Sequence, residues 1–297
     1  MNISEINQYE NLGLIAKQLV DGFITGLHKS PYHGFSVEFA EHKLYNYGES
    51  TKHIDWKVFS RTDKLFTKQY EEETNLRCRI LIDNSTSMHY PRPEKDKLKF
   101  SVFAASALSY LLTKQRDVVG LTIFSDTIEE ETELRSTKTH LNNILTKLSQ
   151  LQDQSPKSQT DIASVLHEIA DKSHRRSLII LFSDMFQNAN EEELLNALQH
   201  LKHNKHEVIV FHVSDYKTEL EFEFEDRPYK FVDMETNESI KVNPGDLKKD
   251  YQKAMGAFYQ DLKIKCGMMK VDFVPVNTND PFDKILGAYL IKRKKMK

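Results

Sequence analysis

Arg79-Ile80-Leu81-Ile82-Asp83-Asn84-Ser85-Thr86-Ser87 is the stretch that decides how this chain folds. Its first half is a short apolar run, which reads as a strand buried on both faces. Its second half turns abruptly polar, with one carboxylate and hydroxyls at alternate positions. Outward from it, Phe100, Phe103, Ala104, Ala107, Leu108, Leu111 and Leu112 recur at helical spacing. Val118–Phe124 is a second apolar strand, followed after a tight turn by an edge-like strand around Ile128 to Leu134. Leu141, Leu145, Leu148 and Leu151 mark one helix, and Ile162, Val165, Leu166 and Ile169 another. Ser177–Phe182 and Glu207–Val213 are two further apolar strands, with a helix from Glu191 to Asn204 between them.

The rest of the chain completes the pattern. Residues 219–242 alternate like a hairpin, with Phe222, Phe224, Tyr229 and Phe231 as the apolar members. A helix carrying Leu247, Tyr251, Ala254, Phe258 and Leu262 leads to a sixth strand at Lys270–Pro275, and Asp280-Pro281 opens a last helix. Four continuously apolar strands alternating with helices predict a parallel sheet covered on both faces. The expected fold is α/β: a three-layer, doubly wound, Rossmann-like domain with a six-stranded, mostly parallel sheet over residues 75–297. Residues 1–74 differ. Ile6, Tyr9, Leu12, Ile15, Leu19, Phe23 and Leu27 describe an amphipathic helix stopped by Ser30-Pro31. Short extended stretches follow at 34–39 and 65–70, so this segment reads as a helix-and-strand embellishment packed on the main domain.

Composition excludes several classes of function. The chain has 297 residues, with 41 Lys+Arg against 44 Asp+Glu, a formal charge of −3. Such a balance argues against nucleic acid as the main partner, since phosphate binding needs a basic face. Two cysteines, Cys78 and Cys266, cannot build a disulfide framework, which favours a reducing, cytoplasmic setting. There is no apolar run of about 18 residues, and the first residues lack the pattern of a signal peptide. His200, His203 and His206 invite a zinc reading, but their spacing fans round a helix and no cysteine joins them.

In a sheet of this kind ligands bind beyond the carboxyl ends of the strands. There the first strand runs into Asp83, Ser85 and Ser87, and the fourth ends in Phe182-Ser183-Asp184. Gln159-Thr160-Asp161 stands before the Ile162 helix. Oxygen ligands with few formal charges suit Mg²⁺, or Mn²⁺ in its place. Either Thr160 or Asp161 could supply the further oxygen; Thr160 reads equally as the N-cap of the next helix.

Asp83-x-Ser85-x-Ser87, then Thr160, then Asp184, resembles the metal-ion-dependent adhesion site of von Willebrand factor A domains. That resemblance implies serine and threonine ligands, aspartates acting mostly through water, and an open position for a partner's carboxylate. Ser158-Gln159 replaces the glycines usual before the threonine. Upstream, Tyr45-Asn46-Tyr47-Gly48-Glu49-Ser50-Thr51-Lys52-His53-Ile54-Asp55-Trp56, with Ser60-Arg61 and Tyr70-Glu71, resembles the bacterial domain of unknown function number fifty-eight. This second resemblance implies a partner of the MoxR-type AAA+ ATPase class and a non-enzymatic adaptor role. Trp56 is expected to be buried, with an Asp55–Arg61 pair tying the segment down. The rival expectation is a Mg²⁺-dependent hydrolase with Asp83 as nucleophile. Such an enzyme wants a second aspartate two residues on, where this chain has Ser85, and a lysine with an acid pair near the fourth strand, where the sequence shows a single Asp184.

Overall fold

The computed structural model describes residues 12–29, 42–45, 56–68, 76–91, 96–152, 161–185, 191–234 and 238–296. The extended stretch expected at 34–39, Thr160, Asp55 and most of the Tyr45–Trp56 motif lie outside the described residues. The chain forms two compact units, one of Met1–Phe23 with Leu76–Lys297 and one of Ile24–Asn75. Helix α1 spans Leu12–Lys29.

In the smaller unit, β1 (His42–Leu44) pairs antiparallel with β2 (Phe66–Lys68). Between them α2 (Trp56–Thr62) is seven residues long. Trp56 is not buried as expected. It is 61% exposed and meets Phe59 edge-on at 6.1 Å, because one short helix has too little area to cover an indole. Arg61 is also exposed.

The larger unit contains the expected six-stranded sheet. Its strands are β3 (Arg77–Asp83), β4 (Val118–Phe124), β5 (Ile128–Glu131), β6 (Leu178–Ser183), β7 (Glu207–Ser214) and β10 (Asp272–Asn277). Across the sheet the order is β10-β7-β6-β3-β4-β5, parallel except for β5, which runs antiparallel to β4. From β3 the chain first builds outward through β4 and β5, then returns to add β6 on the other side. The order therefore reverses between β3 and β6, where such folds open a crevice.

Helices cover both faces. α3 (Lys97–Lys114) begins at Asp96, whose carboxylate accepts from the Lys99 amide at 2.6 Å, a standard N-cap arrangement. It packs on the same face as α8 (Asp283–Met296), joined by stacked Phe100 and Phe282 at 4.8 Å. α4 (Lys138–Gln152) lies beside α3. On the opposite face α5 (Ile162–Lys172) and α6 (Glu191–His203) share a core with Leu81, Leu181 and Val210. Leu262 and Cys266 of α7 (Pro244–Met268) close that core.

The hairpin expected near 219–242 is β8 (Tyr229–Val232) paired with β9 (Ser239–Val242), preceded by one π-helical turn at Tyr216–Leu220. The last strand starts two residues later than expected. Lys270 takes a φ of 58°, and the Val271 amide donates to the Cys266 carbonyl at 2.9 Å, so α7 is still being closed there. Among the described residues no helix is long and apolar enough to cross a membrane.

Candidate metal centre

The carboxyl ends of β3 and β6 hold the polar cluster together. Asp83 is buried, and both of its oxygens are engaged. Oδ1 accepts from the Ser85 amide at 2.9 Å, and Oδ2 accepts from the Ser183 hydroxyl at 2.7 Å. Ser183 in turn accepts from the Met185 amide at 2.8 Å, and Met185 adopts a φ of 53°. A left-handed turn at a non-glycine residue costs on the order of 1 kcal/mol and persists where its surroundings enforce it. Here the turn is held by Ser183 and sets the exit of β6 just after Asp184.

The loop after β3 is pinned on its other side too. The Asn84 amide donates to the Phe124 carbonyl at 2.7 Å, and its side chain donates to Glu129 at 3.2 Å. Thr86–His89 then forms one 3-10 turn, which brings the Ser85 and Ser87 hydroxyl oxygens to 3.0 Å from each other.

A buried cation sits among the acids. Lys97, the first residue of α3, donates to Asp184 at 2.7 Å and to Glu219 at 2.5 Å. Burial alone would lower the Lys97 pKa, but Asp184 and Glu219 outweigh it and hold the ammonium above its ordinary range. Burial raises Glu219 in spite of Lys97. Burial, and then the neighbouring charge of Asp184, push Asp83 up to about 7. His212, opposite Ser183 on β7, is driven by burial down to about 4, so it stays neutral and adds no positive charge.

Four of the expected ligands, Asp83, Ser85, Ser87 and Asp184, thus stand at one edge, linked through Ser183. Thr160 lies outside the described residues. Asp161 is the N-cap of α5, accepting from the Ser164 amide at 3.0 Å. Its own amide donates to the Ser125 carbonyl at 3.3 Å, beside the end of β4. Ser183, Lys97 and Glu219 were not among the expected site residues. Ser183 is next to Asp184 in the sequence, and its strand-end position was the available signal. Lys97 and Glu219 reach Asp184 only through the tertiary fold.

The donor set fits a hard divalent ion. Two adjacent ligands at ~2.1 Å around an octahedral ion stand roughly 3.0 Å apart, and the two serine hydroxyls, hydrogen-bonded to each other, stand at that separation. The carboxylates of Asp83 and Asp184 are both buried, and Lys97 is a cation on Asp184. Among the described residues no group of three His, Cys, Asp or Glu gathers as a metal cage, so the hydroxyls carry the fit.

Residues 41–258 match the family described as protein of unknown function DUF58. An uncharacterized protein of Mycobacterium tuberculosis is 24% identical over 204 residues, covering 69% of this chain and 63% of that protein. A Mycobacterium bovis protein matches to the same extent. The chain therefore spans less than two thirds of the length of these relatives. Among solved structures, the conserved hypothetical protein BatB from Bacteroides thetaiotaomicron superposes with a TM-score of 0.46 at 16% identity, over 74% of this chain and 98% of BatB. The proximal thread matrix protein 1 of the mussel byssus, solved with a zinc-occupied adhesion-site motif, gives a TM-score of 0.39 at 20% identity, over 48% of this chain and 38% of that one.

Proposed function

This chain belongs to the DUF58 family, and from that premise we propose that it is a metal-dependent protein-interaction module of von Willebrand factor A-like fold. The observation that carries the reading is the 3.0 Å pair of serine hydroxyls beside two buried aspartates. Ser85 and Ser87 would hold a Mg²⁺ or Mn²⁺ ion directly, with Asp83 and Asp184 acting through water and Thr160 as a further hydroxyl. When bound, the ion supplies a Lewis acid that can accept one carboxylate from a partner.

The residues around it prepare the site rather than react. Ser183 and the Ser85 amide fix the orientation of the Asp83 carboxylate. Position 85 offers a hydroxyl where a hydrolase of the expected type needs an acid. Lys97 balances part of the acidic charge of Asp184 and Glu219. We therefore read the chain as a non-enzymatic adaptor. The partner we propose is a MoxR-type AAA+ ATPase, on the strength of the Tyr45–Trp56 motif, and a cytoplasmic setting for the complex belongs to the same proposal.

The test is capture of a purified MoxR-type ATPase from the same genome on immobilised protein. Capture is expected in Mg²⁺, lost in EDTA, and lost in the Asp83→Ala, Ser85→Ala double variant while its circular dichroism is unchanged. Capture that survives both treatments would contradict the reading.

A further inference from the structure

Beside the proposed metal site lies a cavity of about 640 Å³, reached from that site through Ser87. Ser87, Lys97 and Glu219 line its inner end, so it begins at the same serine that faces the proposed ion. Its wall is aromatic. Phe222, held at a φ of 49°, stacks on Phe231 at 5.7 Å and packs against Tyr251 at 4.4 Å. Phe224 meets Phe231 edge-on at 5.1 Å. These rings brace one another, so the wall is formed before any ligand arrives.

The outer part of the cavity is apolar and faces water. Ile240 is 59% exposed and Val232 48%, and both line the cavity. A concave apolar surface of ligand size with a few polar groups at one end is the general form of a binding site. Charge then orients the occupant. The inner end adjoins the metal centre, whereas Asp233 and Glu238 make the outer lip acidic. A carboxylate is favoured at the inner end once an ion is bound, and a cation at the outer lip.

We propose that the cavity receives a large apolar side chain of the same peptide segment whose carboxylate reaches the metal ion, with a basic residue following at the lip. The recognised partner feature is thus an acidic residue, then Trp, Phe or Leu, then Lys or Arg, within one short stretch. The proposal rests on the metal-dependent docking reading and gives that reading its specificity.

The probe is a phage-displayed random peptide library panned on the full chain in Mg²⁺, with a selected peptide resynthesised for calorimetry. The expected consensus is acid, large apolar, base. Alanine at the apolar position should weaken binding roughly tenfold or more, as expected for losing one buried side chain. Ile240→Glu, a change at an exposed position, should weaken the parent peptide similarly and leave Mn²⁺ affinity unchanged. No enrichment, a consensus without the apolar position, or full binding by Ile240→Glu would overturn the cavity assignment. Binding that needs Ile240 but ignores EDTA and replacement of the peptide's acid would uphold the cavity and overturn the metal reading instead.

Discussion

Asp83 is the residue where burial and the proposed metal site meet. Its ordinary pKa is 3.8, and burial beside Asp184 pushes it up to about 7 in the fold. A folded-state pKa raised above the unfolded value means that ionising Asp83 costs stability as pH rises from about 4 to about 7. The full cost is present above that window. A bound cation offsets it, so the Mg²⁺-induced rise in Tm should be small at pH 5 and largest above pH 7. Thermal unfolding with and without Mg²⁺ across that range checks this, and a shift equal at both ends would contradict it. Lys97 gives a second test at the same scale. Lys97→Met leaves Asp184 and Glu219 without their shared cation, so it should cost about 3–5 kcal/mol in urea unfolding. Mg²⁺ should recover part of that loss, and a cost below about 1 kcal/mol would show that the ammonium is not doing this work.

At the scale of elements, the cluster depends on how strands end and helices begin. Asp161→Ala removes the N-cap of α5 and should cost about 1 kcal/mol, read from denaturant midpoints; no change would mean that the cap is not holding the helix start. The elements also show what the sequence could disclose. The inner strands β3, β4, β6 and β7 were legible because parallel strands buried on both faces are continuous apolar runs. The start of β10 was not, because Val271 still closes α7 through its bond to Cys266. Trp56 misled for a different reason. A lone tryptophan is expected to be buried, but among the described residues Trp56 meets the edge of Phe59 and stays 61% exposed.

At the scale of the molecule, the reversal of strand order between β3 and β6 is what makes a site of residues about a hundred positions apart in sequence. That Asp83, Ser85, Ser87 and Asp184 gather at one sheet edge was legible because each ends or follows a strand that the apolar pattern reveals. Lys97 and Glu219 could not, since nothing local marks a residue that finishes a charge network from another element. The net charge of −3 offers no bulk attraction for an acidic partner, so the proposed docking would draw on a local attraction centred on the ion. The direct test is titration of Mn²⁺ followed by electron paramagnetic resonance, on the wild type and on the Ser85→Ala, Ser87→Ala double variant. One bound ion per wild-type chain is expected, and none on the double variant with its fold intact. No binding by the wild type, or equal binding by the variant, would contradict the metal reading.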